Sequence, residues 1–185
     1  MDGYREMQVH LIRYFFAERR GALLLMIVGS LAMVVALLLL ALGGPGLARG
    51  LAVPLGGIAL LEIGVGWTVF SRTDDQMTGL SRRLESDPAG FRESELARMR
   101  KVLAGFRIYR AIEVAVVAGG LAAAVVYRDR PALFAVGAGC LLQGLLLLVI
   151  DGSAQDRARE YVAALRRLLD GPPGPELDRG AGRPI

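Results

Sequence analysis

Residues 131–150 read PALFAVGAGCLLQGLLLLVI, twenty consecutive positions without a charged side chain. A helix needs roughly 20 apolar residues to cross a hydrocarbon core of about 30 Å. Three further stretches meet or approach that length: residues 21–48 carry no charge, and residues 50–71 and 111–127 carry one each, Glu62 and Glu113. We therefore predict an all-α, polytopic membrane protein with four transmembrane helices, at about 21–42, 51–71, 108–127 and 131–150.

The composition of the whole chain also favours lipid over water. Of its 185 residues 54% are hydrophobic and 22% charged, a balance that leaves little polar cover for a soluble surface. The competing class is a soluble bundle, whose core helices keep a polar face with a period of 3.6 residues. Residues 22–42 and 131–150 lack such a face, which argues against that class.

The distribution of Lys and Arg predicts the orientation. Four of these residues precede the first apolar stretch, eight lie in residues 72–107, and six follow residue 150. Residues 43–50 hold only one and residues 128–130 hold two. Because short cytoplasmic segments carry the excess of positive charge, we expect both termini and residues 72–107 in the cytoplasm. Arginine outnumbers lysine twenty-one to one, which is typical of a GC-rich bacterial genome and places the chain in a bacterial inner membrane.

A cleaved signal peptide is the alternative interpretation of the N-terminus. Ala41-Leu42-Gly43 resembles a small-residue cleavage site. However, twenty mostly polar residues precede the apolar run, and that run is longer than the 7–15 residues, roughly, of a signal-peptide core. We therefore expect an uncleaved first helix.

The apolar stretches and the breakers divide the chain into six predicted segments. Ser86-Asp87-Pro88 interrupts the central segment and caps the helix that follows, so this segment is predicted to be an α-hairpin. The segments are an N-terminal cytoplasmic or interfacial helix (1–20), a first in-out-in transmembrane hairpin (21–71), the cytoplasmic α-hairpin (72–107), a second transmembrane hairpin (108–150), a cytoplasmic C-terminal amphipathic helix (151–170) and a disordered tail (171–185).

The two halves of the chain resemble each other weakly. Either a duplication or the chance similarity of Leu-rich helices accounts for the match. A duplication would relate two hairpins of the same orientation, which is the parallel-repeat arrangement. The corresponding positions are Glu62 with Gln143, Asp75 with Asp156, Arg82-Arg83 with Arg166-Arg167, and the Tyr-x-x-x-Glu pairs Tyr14–Glu18 and Tyr109–Glu113.

Four polar residues in or near the apolar stretches are the candidate site: Glu62, Gln143, Glu113 and Arg110. A charged side chain at the centre of a membrane helix costs about 2.5–3.5 kcal/mol on insertion scales, so it rarely faces lipid unpaired. We expect the four to form one polar cluster inside the bundle. The favoured interpretation is a polar clamp that holds helices together. A proton or ion site is the second, and a lipid or partner contact is the third.

No motif in the sequence points to catalysis, a metal, a cofactor or nucleic acid. His10 is the only histidine and Cys140 the only cysteine. A His or Cys metal site therefore lacks the ligands it needs, and the sequence offers no complete catalytic triad. The positive charge is explained by topology. We therefore expect no enzyme, no cofactor and no metal site.

The leading functional hypothesis is a non-enzymatic accessory or regulatory membrane protein. Apart from the lipid bilayer, we expect a protein partner or a second copy on the cytoplasmic helices, at a face formed by Leu96, Met99, Leu103 and Phe106. An immunity protein against a membrane-acting toxin belongs to this class. The alternative is a small oligomeric ion channel or proton-coupled transporter that uses Glu62.

Overall fold

The computed structural model describes residues 2–169, and the side chains of residues 5–167. These residues form four helices: α1 (Asp2–Leu42), α2 (Leu47–Ser86), α3 (Pro88–Val126) and α4 (Pro131–Leu169). Each helix contains a stretch long and apolar enough to cross a membrane, which confirms that part of the prediction. The predicted disordered tail, 171–185, lies outside the described residues.

Each helix is about twice as long as a membrane crossing requires. Helices of 39 to 41 residues measure roughly 60 Å at 1.5 Å per residue, against a hydrocarbon core of about 30 Å. Residues 4–20, 72–85 and 151–169 therefore belong to the same continuous helices as the adjoining apolar stretches. We call residues 21–71 and 108–150 the apolar half of the bundle, and residues 2–20, 72–107 and 151–169 the charged half.

Three short breaks separate the helices, and each has a local cause. Gly46, with φ 96°, follows two glycines and a proline and precedes α2. Asp87 ends α2, and its side chain accepts a hydrogen bond of 2.9 Å from the Gly90 amide at the start of α3. Pro88 takes the first position of α3, where a missing amide costs nothing. Pro131 begins α4 in the same way.

The four helices run alternately up and down. α1 packs along α2, α3 packs along α4, and the two hairpins meet mainly through α2 and α4. α2 and α4 are therefore the central pair, and α1 and α3 lie at the outer corners.

Close backbone contact holds the apolar half together. A Cβ on Gly120 of α3 would lie 2.7 Å from the Leu141 amide nitrogen and 2.8 Å from the Gly137 carbonyl oxygen of α4. A Cβ on Gly29 of α1 would lie 2.9 Å from the Cβ of Glu62 on α2. Small residues allow this approach, and dispersion then replaces the hydrophobic effect, which is absent between helices in lipid.

The largest hydrophobic core lies in the charged half. All four helices contribute to it. Its buried members are Met7, Leu11, Tyr14, Phe15, Leu84, Phe91, Met99, Ala158, Tyr161, Val162 and Leu165. The charged half is therefore a packed four-helix module built on the ends of the apolar helices.

This core changes the interpretation of the predicted binding face. Met99 is fully buried, and Leu96, Leu103 and Phe106 pack against the same core. Their apolar spacing therefore reflects packing within the chain, although Leu96, Leu103 and Phe106 stay partly exposed. Binding of a partner or a second copy at this face stays a prediction.

Candidate functional site

Glu62 and Gln143 face each other between the two central helices. Both side chains are 2% exposed, and Gly29 of α1 closes the site on the third side. The Glu62 carboxylate and the Gln143 amide are neighbours, yet neither Glu62 oxygen nor Gln143 Nε2 has a hydrogen-bond partner within the described residues. Burying a carboxyl group without such a partner costs free energy. Helix packing alone gives no reason for that cost, so we treat this pair as a polar centre.

Glu113 forms a second polar centre, nearer the charged half. Its side chain is 6% exposed and faces Asp151 of α4, which is half-buried. Arg110 lies one turn before Glu113 on α3 and is exposed, within electrostatic range of the Glu113 carboxyl group. Two carboxyl groups and one guanidinium therefore meet where the apolar half ends.

The four predicted residues are thus divided between two centres. Gln143 and Asp151 are eight residues apart on α4, which corresponds to about 12 Å along the helix. Glu62 and Gln143 form one group, and Glu113 and Arg110 join Asp151 in the other. The physical reason is the level of each residue along its helix: Glu62 of α2 lies level with Gln143, whereas Glu113 of α3 lies level with Asp151, two turns nearer the charged half.

A third polar centre lies in the core of the charged half. Glu95 of α3 is 1% exposed and accepts two hydrogen bonds from Arg98, at 2.8 Å from Nε and 2.7 Å from Nη2. The Arg98 guanidinium also lies 5.5 Å from the ring centre of Phe15 on α1. The two-fold contact within α3 is the strong form of an ion pair, and the contact of Arg98 with the Phe15 ring connects α3 to α1.

Aromatic and polar groups surround that ion pair. The rings of Tyr14 and Tyr161 stack at 4.6 Å with an interplanar angle of 15°. Burial raises the pKa of both phenols above the ordinary value of 10, so both stay protonated at physiological pH. Burial also raises the pKa of the Glu18 carboxyl group above its ordinary 4.5, although Arg98 opposes the shift.

Two of the three centres share α4, which carries Gln143 in the first and Asp151 in the second. Gln143 and Asp151 are about two turns apart, and only apolar residues and Gly144 lie between them, so the two centres are separate. Toward the 43–46 and 127–130 loops the buried side chains of the described residues are apolar, among them Ala36, Ala52 and Leu55. Within residues 5–167, buried polar side chains therefore occur at the level of Glu62 and toward the charged half.

Sequence reasoning missed Glu95, Arg98, Gln155 and Asp151 as interior residues. The spacing of these residues from buried apolar neighbours on the same helix could have identified them. Glu95 stands four residues after Phe91 and four before Met99, so it lies on the face that these two bury. Gln155 precedes Ala158 on the buried face of α4 in the same way.

No known protein family, no curated protein and no solved structure matches the chain. Among residues 2–169, no group of three or more His, Cys, Asp and Glu side chains is placed to hold a metal ion. The function of the chain is therefore inferred from its own geometry.

Proposed function

We propose that the chain is a non-enzymatic, multi-pass protein of a bacterial inner membrane, with both termini in the cytoplasm, that binds a protein partner through its charged half. The observation that supports this proposal is an apolar stripe on the outside of α1. Val9, Ile12 and Phe16 are 55%, 38% and 52% exposed, although the core of the charged half lies directly beneath them.

The stripe has the form of a helix-docking surface. Its spacing of three and four residues places the three side chains on one face. Arg5, Glu6 and Arg13 are exposed beside them, so the net charge here is positive and favours an acidic partner with an apolar face. An immunity protein that captures a membrane-acting toxin would use a surface of this kind.

Two residues of the stripe lie too far from the apolar half to be covered by lipid. Val9 and Ile12 precede Gly21, where the apolar half begins, by twelve and nine residues, or about 18 and 14 Å of helix. The headgroup layer adds only about 5–8 Å to the hydrocarbon core on each side, which reaches Phe16 but not these two. Val9 and Ile12 are therefore in water, where adjacent exposed apolar side chains favour an interaction site.

A photoreactive amino acid tests the proposal directly. Placed at Ile12 in living cells, it is expected to crosslink in high yield to one protein, and Ile12→Asp is expected to abolish co-purification of that protein. The matched control is Lys101, an exposed position on α3, where neither the crosslink nor the effect of Lys101→Glu is expected. Absence of a protein adduct at Ile12, or an adduct with a second copy of the chain alone, overturns the proposal.

Conduction through Glu62 is the alternative, and the buried, unpartnered oxygens of Glu62 beside Gln143 favour it. Transport needs a polar path on both sides of Glu62, whereas the buried side chains toward the loops are apolar. Reconstituted vesicles are expected to show the same proton and potassium leak with the wild-type chain, with Glu62→Gln and without protein. A flux that requires Glu62, in a variant that retains its fold and oligomeric size, would select the transporter.

A further inference from the structure

A groove between α1 and α4 lies at the level where the apolar half meets the charged half. It has a volume of about 240 Å³ and is lined by Arg20, Gly21 and Leu24 of α1 and by Ile150, Ser153 and Arg157 of α4. We propose that this groove binds the phosphate group of an anionic phospholipid, which belongs to the cytoplasmic leaflet if the proposed orientation is right.

Two arginines from different helices converge on the groove. Arg157 Nη1 donates a hydrogen bond of 3.3 Å to Ser153 Oγ, and its Nη2 lies 3.2 Å from where a Gly21 Cβ would stand. The missing side chain of Gly21 thus lets Arg157 lie across α1 beside Arg20. Guanidinium groups bind phosphate oxygens through paired hydrogen bonds, so two of them on one groove form a phosphate site.

Two neighbouring arginines are paired and serve as the comparison. Arg19 pairs with Asp74 at 2.9 Å and lies 4.7 Å from the ring centre of Phe70, and Arg159 pairs with Asp156 at 3.4 Å. Within the described residues, neither Arg20 nor Arg157 has a carboxylate within ion-pair distance. Arg157 does lie within electrostatic range of the buried Glu18.

The groove is polar at one end and apolar at the other. Because the helices are antiparallel, Arg20 and Arg157 lie at the end of the groove toward the charged half, whereas Leu24 and Ile150 lie about one and two turns further into the apolar half. A phospholipid has the same order of groups, with its phosphate outside its acyl chains. The volume is below the roughly 300–1,000 Å³ of pockets that enclose a drug-sized ligand, so the groove holds the headgroup while the chains stay in the bilayer.

The test measures lipid adducts of the purified protein by native mass spectrometry. Wild-type protein in detergent is supplied with equal amounts of phosphatidylglycerol and phosphatidylcholine, and phosphatidylglycerol adducts are expected to dominate. The double variant Arg20→Gln/Arg157→Gln is expected to lose that preference by about tenfold or more, since a tenfold loss corresponds to only about 1.4 kcal/mol. The control Arg19→Gln/Arg159→Gln removes the same total charge and is expected to keep it.

Two further arms separate the possible explanations. Gly21→Leu fills the space under Arg157 without changing any charge, and it is expected to weaken the adduct at an unchanged melting temperature. Inorganic phosphate in large molar excess distinguishes the sources of the anion: a lipid site keeps its phosphatidylglycerol, whereas a site for soluble phosphate releases it.

Several outcomes would overturn the proposal: equal binding of the two lipids, release by inorganic phosphate, or equal losses in the two double variants. Since the purified protein is measured without any partner, failure here leaves the crosslink expected at Ile12 unaffected. The two proposals therefore fail separately.

Discussion

At the scale of single residues, the buried Glu95 carboxylate makes the stability of the charged half depend on Arg98. Glu95 is almost fully buried, and Arg98 supplies its two hydrogen bonds, so the carboxylate depends on this one partner. Removing one member of a buried pair leaves an uncompensated charge, which costs roughly 3–5 kcal/mol. The side chain of Arg98 is partly exposed, so water can partly replace it.

We therefore expect Arg98→Ala to lower the free energy of unfolding by about 3 kcal/mol, the lower end of that range. Unfolding by sodium dodecyl sulfate in mixed micelles measures it. Arg159→Ala is the matched control, since its pair with Asp156 is exposed and worth at most about 1 kcal/mol. Equal losses in the two variants would refute the role given to Glu95.

Glu18 makes stability depend on pH. Because burial raises the pKa of its carboxyl group, the folded state binds a proton that the unfolded state releases. The destabilisation of the folded state by ionised Glu18 is therefore absent below the ordinary pKa of 4.5. It appears as the pH rises above 4.5, and it is complete once the pH exceeds the raised pKa of the folded state. Arg98 and Arg72 reduce this cost and Glu95 increases it.

Glu18→Gln is accordingly expected to raise the melting temperature at pH 8 and to have a smaller effect at pH 5. Melting curves of the wild type and the variant across this range provide the measurement. If the difference between the two proteins stayed constant with pH, Glu18 would titrate alike in the folded and unfolded chain, contrary to its burial.

At the scale of the helices, glycine placement determines how the hairpins close. Gly120 and Gly119 are adjacent on α3, but only Gly120 faces the backbone of α4; a Cβ on Gly119 would meet nothing within 4 Å. The atoms opposing Gly120 are backbone atoms, which cannot move aside as the end of a long side chain can. The same substitution at the two sites should therefore have opposite effects.

Gly120→Ala is expected to destabilise the fold by about 1–3 kcal/mol, the usual cost of overpacking. Gly119→Ala is expected to be neutral or stabilising, since alanine is about 1 kcal/mol better than glycine in a helix. Unfolding in mixed micelles compares the two. A loss of stability at Gly119 as large as that at Gly120 would contradict the conclusion that only Gly120 faces the backbone of α4.

The helices also bear on the weak internal repeat. Two hairpins of nearly equal length meet along α2 and α4, the helices that the repeat aligns. Glu62 and Gln143 are both buried, whereas Tyr14 is buried and Tyr109 is exposed. The structure therefore provides similar environments for one pair of the alignment and different environments for the other, and duplication stays a hypothesis.

At the scale of the whole molecule, the proposed orientation makes a prediction for each end of the bundle. In a Cys140→Ala background, Asp129→Cys is expected to react with a membrane-impermeant maleimide in intact spheroplasts. Ala89→Cys, which is exposed in the charged half, is expected to react only after the membrane is opened. The reverse order of labelling would invert the topology and with it the proposed cytoplasmic partner.

Most of the fold could be predicted from the sequence, and less of the site. The apolar stretches and the break at Asp87-Pro88 predicted the four helices, because both signals are local. Leu96, Met99 and Leu103 were correctly assigned to one face of a helix. A periodic apolar face predicts burial without naming what covers it, and here these side chains pack with the core of the same chain.

The amino-acid sequence by itself determined that four helices are apolar enough to cross a membrane, since that property is a sum of side-chain transfer free energies over about 20 consecutive residues. Only the tertiary structure decided which distant groups meet: Glu62 with Gln143, Glu113 with Asp151, and Arg98 with the ring of Phe15. These contacts depend on how each helix is rotated and shifted along its neighbour. Close packing of distant glycines and core side chains determines that rotation, and no local stretch of sequence contains it.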